Sequence, residues 1–211
     1  MEAGSAMLED MGSDQETVVL AALGCTVDGL PKVDRIGFQR TPEEVRGRCL
    51  ALFGVVASSH GLDRRVASDW LVEAGVAQHL TEEEASSLSS AAKSTLSFDA
   101  VEALWVLAWA LGLTPALDWA HPCSDSFVRL FPDPLAGEDA SEFCAVPRLR
   151  SGEELNVERQ VAFELHNCWV NSRLMGGAVP SSVDEGAVRW RRHALEWLAL
   201  AANWADVPLD T

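Results

Sequence analysis

The run FDAVEALWVLAWALGL, from Phe98 to Leu113, decides the fold. Between Val101 and Leu113 its only charged residue is Glu102, and Leu104, Trp105, Val106, Leu107, Trp109 and Leu111 leave no polar face once wound into a helix. A helix that is apolar all round belongs inside a core. About thirteen such residues fall short of the roughly 18 to 20 that span a bilayer. The stretch therefore predicts a buried central helix with the other helices wrapped around it.

Working outward, Ser97 is placed to cap this helix, and Gly112 with Pro115 to close it. Further helix starts are marked by capping boxes, in which a Ser or Thr and a Glu three residues on satisfy each other's backbone donors. They occur at Ser13–Glu16, Thr41–Glu44 with Pro42 at the first helical position, Thr81–Glu84, Ser151–Glu154 and Ser182–Glu185, and Asp63 is a single-residue cap. These signals predict a first helix stopped by Gly24, a second running to Ser59 or His60, and a third interrupted by Gly75. They also predict a short helix to about Ala92, a long one from Ser151 to Met175, and a final helix after Ser182.

The apolar stripes agree with those helices. They comprise Val45, Cys49, Leu52, Phe53 and Val56, then Val66, Trp70, Leu71 and Ala74, then Leu155, Val161, Leu165, Cys168 and Trp169. Val188, Trp190, Leu195, Trp197, Leu198 and Trp204 are the expected anchors of the C-terminal part. Residues 114–150 are proline-rich and predict at most a short helix over Ser124 to Phe131. No alternating run reads as a strand, and no fixed-period repeat is present. The expected fold is all-α: a single-domain helical bundle of about seven to eight helices around the Phe98 to Leu113 helix. Residues 13–211 form that domain, behind a disordered acidic N terminus at residues 1–12.

Asp and Glu number 32 against 16 Lys and Arg, a net charge of −16 over 211 residues. Phosphate recognition draws on clustered cations, so this balance argues against nucleic acid and anionic membranes as partners and favours a basic protein. The five cysteines, at 25, 49, 123, 144 and 168, include no C-x-x-C pair and are odd in number, which predicts reduced thiols in the cytoplasm. Residues 1–20 show neither the basic n-region nor the apolar h-region of a secretory leader. There is no G-x-S-x-G, glycine-rich phosphate loop or H-E-x-x-H, so neither a cofactor nor a metal is expected.

Several polar groups nevertheless invite a functional reading. Glu102 opens the most apolar helix, where a carboxylate either finds a specific partner or acquires a raised pKa. Arg148 and Arg150 precede a helix N terminus, whose free N–H groups favour anions. Arg189, Arg191, Arg192 and His193 form the only dense basic run. Residues 189, 192 and 193 lie on neighbouring helical faces, and Trp190 and Arg191 point elsewhere. His166 and Cys168 are two apart on a helix and do not share a face, and a metal site across helices from His166, His193 and Glu154 follows no spacing rule. Cys123, next to the Ser124 cap, is the expected reactive thiol, with a pKa lowered by the adjacent helix start. The candidate polar pocket thus comprises Glu102, Arg148, Arg150, Glu154, His166, Arg192 and His193.

The order of signatures also resembles a known family, the bacterial domain-of-unknown-function family 4272. The matching residues are Gly29-Leu30-Pro31, Arg40-Thr41-Pro42-Glu43-Glu44-Val45 with Arg48, Glu102-Ala103-Leu104 and Trp109-Ala110-Leu111-Gly112. Pro122-Cys123, Leu149-Arg150-Ser151-Gly152-Glu153-Glu154, Arg192-His193-Ala194-Leu195-Glu196-Trp197-Leu198 and Asp210-Thr211 follow. Ala100 departs from the pattern, since the family tends to carry an arginine there. The resemblance implies a soluble helical domain and brings no activity with it.

Three functions are compatible with these observations. The first is a non-catalytic protein-interaction module whose acidic surface binds a basic protein partner, in the manner of a toxin-neutralising immunity protein. The second is an enzyme or small-ligand binder, which requires Glu102, Arg150, Glu154, His166, Arg192 and His193 to converge on a cleft. The third is an oligomeric role, whose sign is an exposed Trp-rich patch on the last helix.

Overall fold

The computed structural model describes residues 18–25, 32–89, 100–144, 149–176 and 183–209. Among them are eight α-helices and no strand. They are α1, described over residues 18–22, α2 (Pro42–Ser59), α3 (Arg64–Glu73), α4 (Glu82–Ser89), α5 (Ala100–Ala110), α6 (Ser141–Cys144), α7 (Gly152–Met175) and α8 (Glu185–Ala199). Short 3-10 turns occupy Ala77–His79, Asp125–Leu130 and Trp204–Asp206. No helix among the described residues is long and apolar enough to cross a membrane.

Side-chain caps fix where these helices begin. Thr41 Oγ1 accepts the Glu44 N–H at 3.2 Å while Glu44 Oε2 accepts the Thr41 N–H at 2.7 Å, with Pro42 in the first turn. The same reciprocal pair forms at Thr81–Glu84 and at Ser151–Glu154, and the Asp63 carboxylate accepts from the amides of Arg65 and Val66. Each cap satisfies amides that the first helical turn leaves without an internal partner. At the other ends, Gly24, Gly112 and Gly176 adopt the left-handed conformation, with φ of 74°, 75° and 69°. That conformation is open to glycine and strained for residues with a Cβ.

One expected start is corrected. The last helix opens under Asp184, whose carboxylate accepts the Ala187 N–H at 2.9 Å. Asp184 sits directly before the first helical residue, and its anionic cap suits the positive end of the helix dipole. Glu185 consequently does not reciprocate a cap; it accepts from Arg173 Nη1 at 2.8 Å. Ser182, the Ser13–Glu16 box, the Ser97 cap and Ala92 lie outside the described residues.

Helix α5 is the buried centre that its sequence predicts. Of its eleven residues only Val101 and Trp105 are partly accessible. It packs on α2 at one side and α8 at the other, and Gly112 closes it by donating to the Trp109 carbonyl at 2.8 Å. Helix α8 shares the central position, since it packs on both α5 and α7. Truncating a fully buried leucine such as Leu104 or Leu107 costs about 2–5 kcal/mol.

The irregular region is held to this frame by aromatic contacts. Phe131 stacks on Phe53 of α2 with centroids 4.6 Å apart, and Phe127 and Phe143 pack on Phe131. The Trp70 indole of α3 donates to the Glu138 carbonyl at 2.9 Å. The short helix expected over Ser124 to Phe131 is the 3-10 turn Asp125–Leu130, capped by Ser124. Val66, Ala74, Trp169 and Trp190, expected in the apolar stripes, are only half-buried. Trp197 and Trp204 are buried.

Candidate functional site

Glu102 occupies the first turn of α5, where the chain enters the core, and its carboxylate is fully engaged. Oε2 accepts from Arg191 Nε at 2.8 Å and Oε1 from the Cys123 N–H at 2.8 Å. Arg191, on α8, is fully buried, and its remaining nitrogens donate to the carbonyls of Asp118 at 2.7 Å and His121 at 2.8 Å. Its guanidinium lies over the rings of Trp105 and Trp119, 4.7 and 5.2 Å from their centroids. Arg191 is the group that sequence reasoning set aside, because the wheel separates it from Arg189, Arg192 and His193. That same separation turns it inward toward α5.

Beside this pair stands a second carboxyl that the sequence reading missed. Glu158 Oε2 accepts the Trp119 indole N–H at 2.6 Å, and burial pushes its pKa up to about 7, against the opposing pull of Trp119, Arg150 and Arg191. The available signal was its spacing, four residues after Glu154 on the same face of α7.

Arg150 and Glu154 form the next group. Arg150 donates to Glu154 Oε1 at 2.7 Å, to the Trp109 carbonyl at 2.8 Å, and to the carbonyls of Thr114 and Pro115 at 2.7 and 2.9 Å. It thereby ties the end of α5 to the start of α7. Partial burial acts against the charge on Glu154, but hydrogen bonds from Ser151 and Arg150 hold its carboxyl below the usual range. Arg148 lies outside the described residues.

The histidines are separated from these acids. Arg192 Nη1 donates to His166 Nδ1, and burial together with that guanidinium pushes His166 down to about 4. His193 is wedged between Trp190 and Trp204, with centroids 5.6 and 4.7 Å away. Burial, then Arg48, lowers its pKa to about 4 as well. Both imidazoles are neutral at pH 7. Arg48 forms a buried fork with Glu84, donates to the His79 carbonyl at 2.9 Å and lies over Trp204 at 4.1 Å. A third buried pair joins Arg159 to Glu196 at 2.8 Å.

The structure therefore places the six described candidates in four groups: Glu102 with Arg191, Arg150 with Glu154, His166 with Arg192, and His193 beside Arg48 and Glu84. Among the described residues no cluster of three or more His, Cys, Asp or Glu side chains is arranged to hold a metal ion. Cys123 departs from its expected reactivity. Burial, reinforced by the negative charge of Glu102, pushes its thiol up to about 12, and the turn that follows is 3-10 and supplies no helix dipole of useful length.

Clefts open on the surface of the described residues. One, of about 550 Å³, is walled by Trp190, His193 and Trp204, with Arg189 and Glu83 at its edges. A second, of about 500 Å³, lies between α3 and residues 134–141, and a third, of about 600 Å³, adjoins it. Fold and site together define an all-helical protein with arginine–carboxylate pairs inside its core. The chain belongs to the family described as Domain of unknown function (DUF4272), whose family model matches residues 26–207. No curated protein and no solved structure matches the chain.

Proposed function

We propose that the protein is a non-catalytic protein-interaction module that binds a basic protein partner through its acidic exterior. The observation that carries this reading is the excess of acidic over basic side chains, 32 against 16, which the buried pairs leave intact because each takes one charge of either sign inward. Arg48, Arg159 and Arg191 are buried against Glu84, Glu196 and Glu102. Setting those three pairs aside, 13 basic residues remain against 29 acidic ones. Such an excess steers a cationic partner and accelerates its association at low salt. Neutralising a basic toxin is one concrete form of the activity. A cytoplasmic setting accords with an odd number of cysteines that include no C-x-x-C pair.

The test is to isolate the chain with whatever protein it retains in the cells that encode it. The expected result is a 1:1 complex with a basic protein whose association rate falls steeply as salt is raised. Recovery of the chain alone, or association indifferent to salt, sinks the reading.

A second reading, a small-ligand binder, is favoured by the cleft at Trp190, His193 and Trp204, where a neutral imidazole and an exposed guanidinium from Arg189 flank aromatic walls. Ligand-observed NMR with benzoate and indole-3-acetate examines it. Signals attenuated by the wild type and restored by Trp190→Ala support a ligand site, and equal behaviour of the two proteins removes it.

A further inference from the structure

We propose that Cys25 and Cys168 form a redox latch, in which an oxidant joins the two thiols in a disulfide that ties the end of α1 to α7. The latch is independent of what the protein binds. Contacts at regular intervals hold the chain before α2 along one face of α7. Asn156, Gln160, Glu164 and Cys168 are spaced four apart and therefore line up on that helix. The Ile36 N–H donates to Asn156 Oδ1 at 3.1 Å and the Val33 N–H to Gln160 Oε1 at 2.8 Å. Lys32 Nζ lies 3.7 Å from Glu164 Oε1, and at the far end the Cys25 thiol is hydrogen-bonded to that of Cys168. Cys25 is positioned by the cap of α1, where its N–H donates to the Leu20 carbonyl at 2.9 Å beyond the left-handed Gly24.

Cys25 is half-buried and Cys168 is buried, so an oxidant arriving from solvent meets Cys25 first. With hydrogen peroxide, the Cys25 thiolate attacks one oxygen. An S–O bond forms, the O–O bond breaks, and the departing hydroxide takes up the proton that Cys25 released. The Cys168 sulfur then attacks the Cys25 sulfur. An S–S bond forms, the S–O bond breaks, and the Cys168 proton leaves with the hydroxide as a second water. Two thiols have then given two electrons to one peroxide. The hydrogen bond to Cys168, burial and the negative charge of Glu164 hold the Cys25 thiol above its ordinary range. Its thiolate is scarce at pH 7, so closing requires sustained oxidant there and accelerates by about tenfold for each unit of pH gained.

The full-length protein is treated with hydrogen peroxide at pH 8, alkylated and digested with trypsin. Cleavage after Lys and Arg leaves each of the five cysteines on its own peptide, with Cys25 in residues 1–32 and Cys168 in residues 160–173. The latch predicts recovery of these two peptides as one linked species that dithiothreitol separates. Closing a loop of this length also raises Tm by roughly 10 °C. The link and the rise are absent in Cys25→Ser, whose melt under reducing conditions matches that of the wild type, and both persist in Cys123→Ser. Retention of all five thiols, sulfinic acid at Cys25 without a link, or a link from either residue to Cys49, Cys123 or Cys144 overturns the latch. An equal yield of the Cys25–Cys168 link in urea overturns it too, since the fold then does not bring the two thiols together. A linked protein that melts no higher than the reduced one overturns the tie between α1 and α7.

Discussion

Arg191 Nη2 and Glu102 Oε2 are 2.8 Å apart, and the two side chains are 0% and 4% exposed. The pair joins α8 to the entry of α5, and the guanidinium also holds the carbonyls of Asp118 and His121 in the irregular segment that follows α5. A charge pair this deep is tolerated because every group around it has a partner.

Breaking the pair from one side leaves a buried charge without compensation. Arg191→Met is expected to destabilise the fold by about 3–5 kcal/mol, and adding Glu102→Leu is expected to recover part of that loss. Urea denaturation of the two singles and the double decides the matter. Strictly additive losses contradict a coupled pair.

Retaining the charge is not sufficient at this position. Arg191→Lys keeps a cation but cannot supply the fork of donors to Glu102, Asp118 and His121, and an expected loss of about 1–3 kcal/mol follows. Wild-type stability for this variant in the same urea experiment contradicts the bracing role.

The two lowered histidines set an acid limit. His166 and His193 hold pKa values of about 4 in the folded chain, below the ordinary value of 6.5. Between those values the unfolded chain binds protons that the folded chain refuses, so stability rises with pH across this window and is lost as pH falls through it. Each histidine is expected to cost about 2 kcal/mol at pH 5 relative to pH 7. Thermal melts at the two pH values show the slope. His166→Gln keeps an acceptor for Arg192 and does not titrate, and it should remove about half of it.

Glu158 acts in the opposite sense. Its folded pKa of about 7 lies above the ordinary 4.5, so the folded chain keeps a proton that the unfolded chain has already released. Stability from this group is complete at low pH and is lost as pH rises toward 7. Glu158→Gln retains the acceptor for the Trp119 indole and is expected to stabilise the protein at pH 8 by up to about 3 kcal/mol, with little effect at pH 4. Destabilisation at pH 8 shows instead that the carboxylate is ionised and held by Arg150 and Arg191.

Much of the fold was legible because its signals are local. The boxes at Thr41, Thr81 and Ser151 depend on residues three apart, and the apolarity of α5 needs no partner to be recognised. Ser182 misled because Ser and Glu at capping spacing satisfy the pattern wherever the helix begins, and the adjacent Asp184 is the better acceptor. What could not be read was pairing across the chain. Glu102 and Arg191 are 89 residues apart; Arg191 is in register with Val188, Leu195 and Leu198 on the buried face of α8, but nothing in the spacing names Glu102 as its partner. Glu158 and Cys123 were hidden for a related reason, since their pKa values follow from burial and from neighbours that other segments supply. Several residues that carry the family resemblance, Arg48, Glu102 and Glu196 among them, are buried braces. The resemblance was therefore a better guide to architecture than to a site.

The guanidinium braces have a practical corollary. Arg40, Arg48, Arg150, Arg159 and Arg191 each donate to main-chain carbonyls of loops or helix ends, a task for which a planar fork of donors is suited and a primary ammonium is not. The chain has recruited arginine so heavily that lysine occurs only at positions 32 and 93. Amine-directed chemistry thus has two side-chain targets in 211 residues. Lys32 is exposed and its ammonium lies 3.7 Å from the buried Glu164 carboxylate of α7, so a fluorophore or surface tether can be attached there, at the cost of that one ion pair.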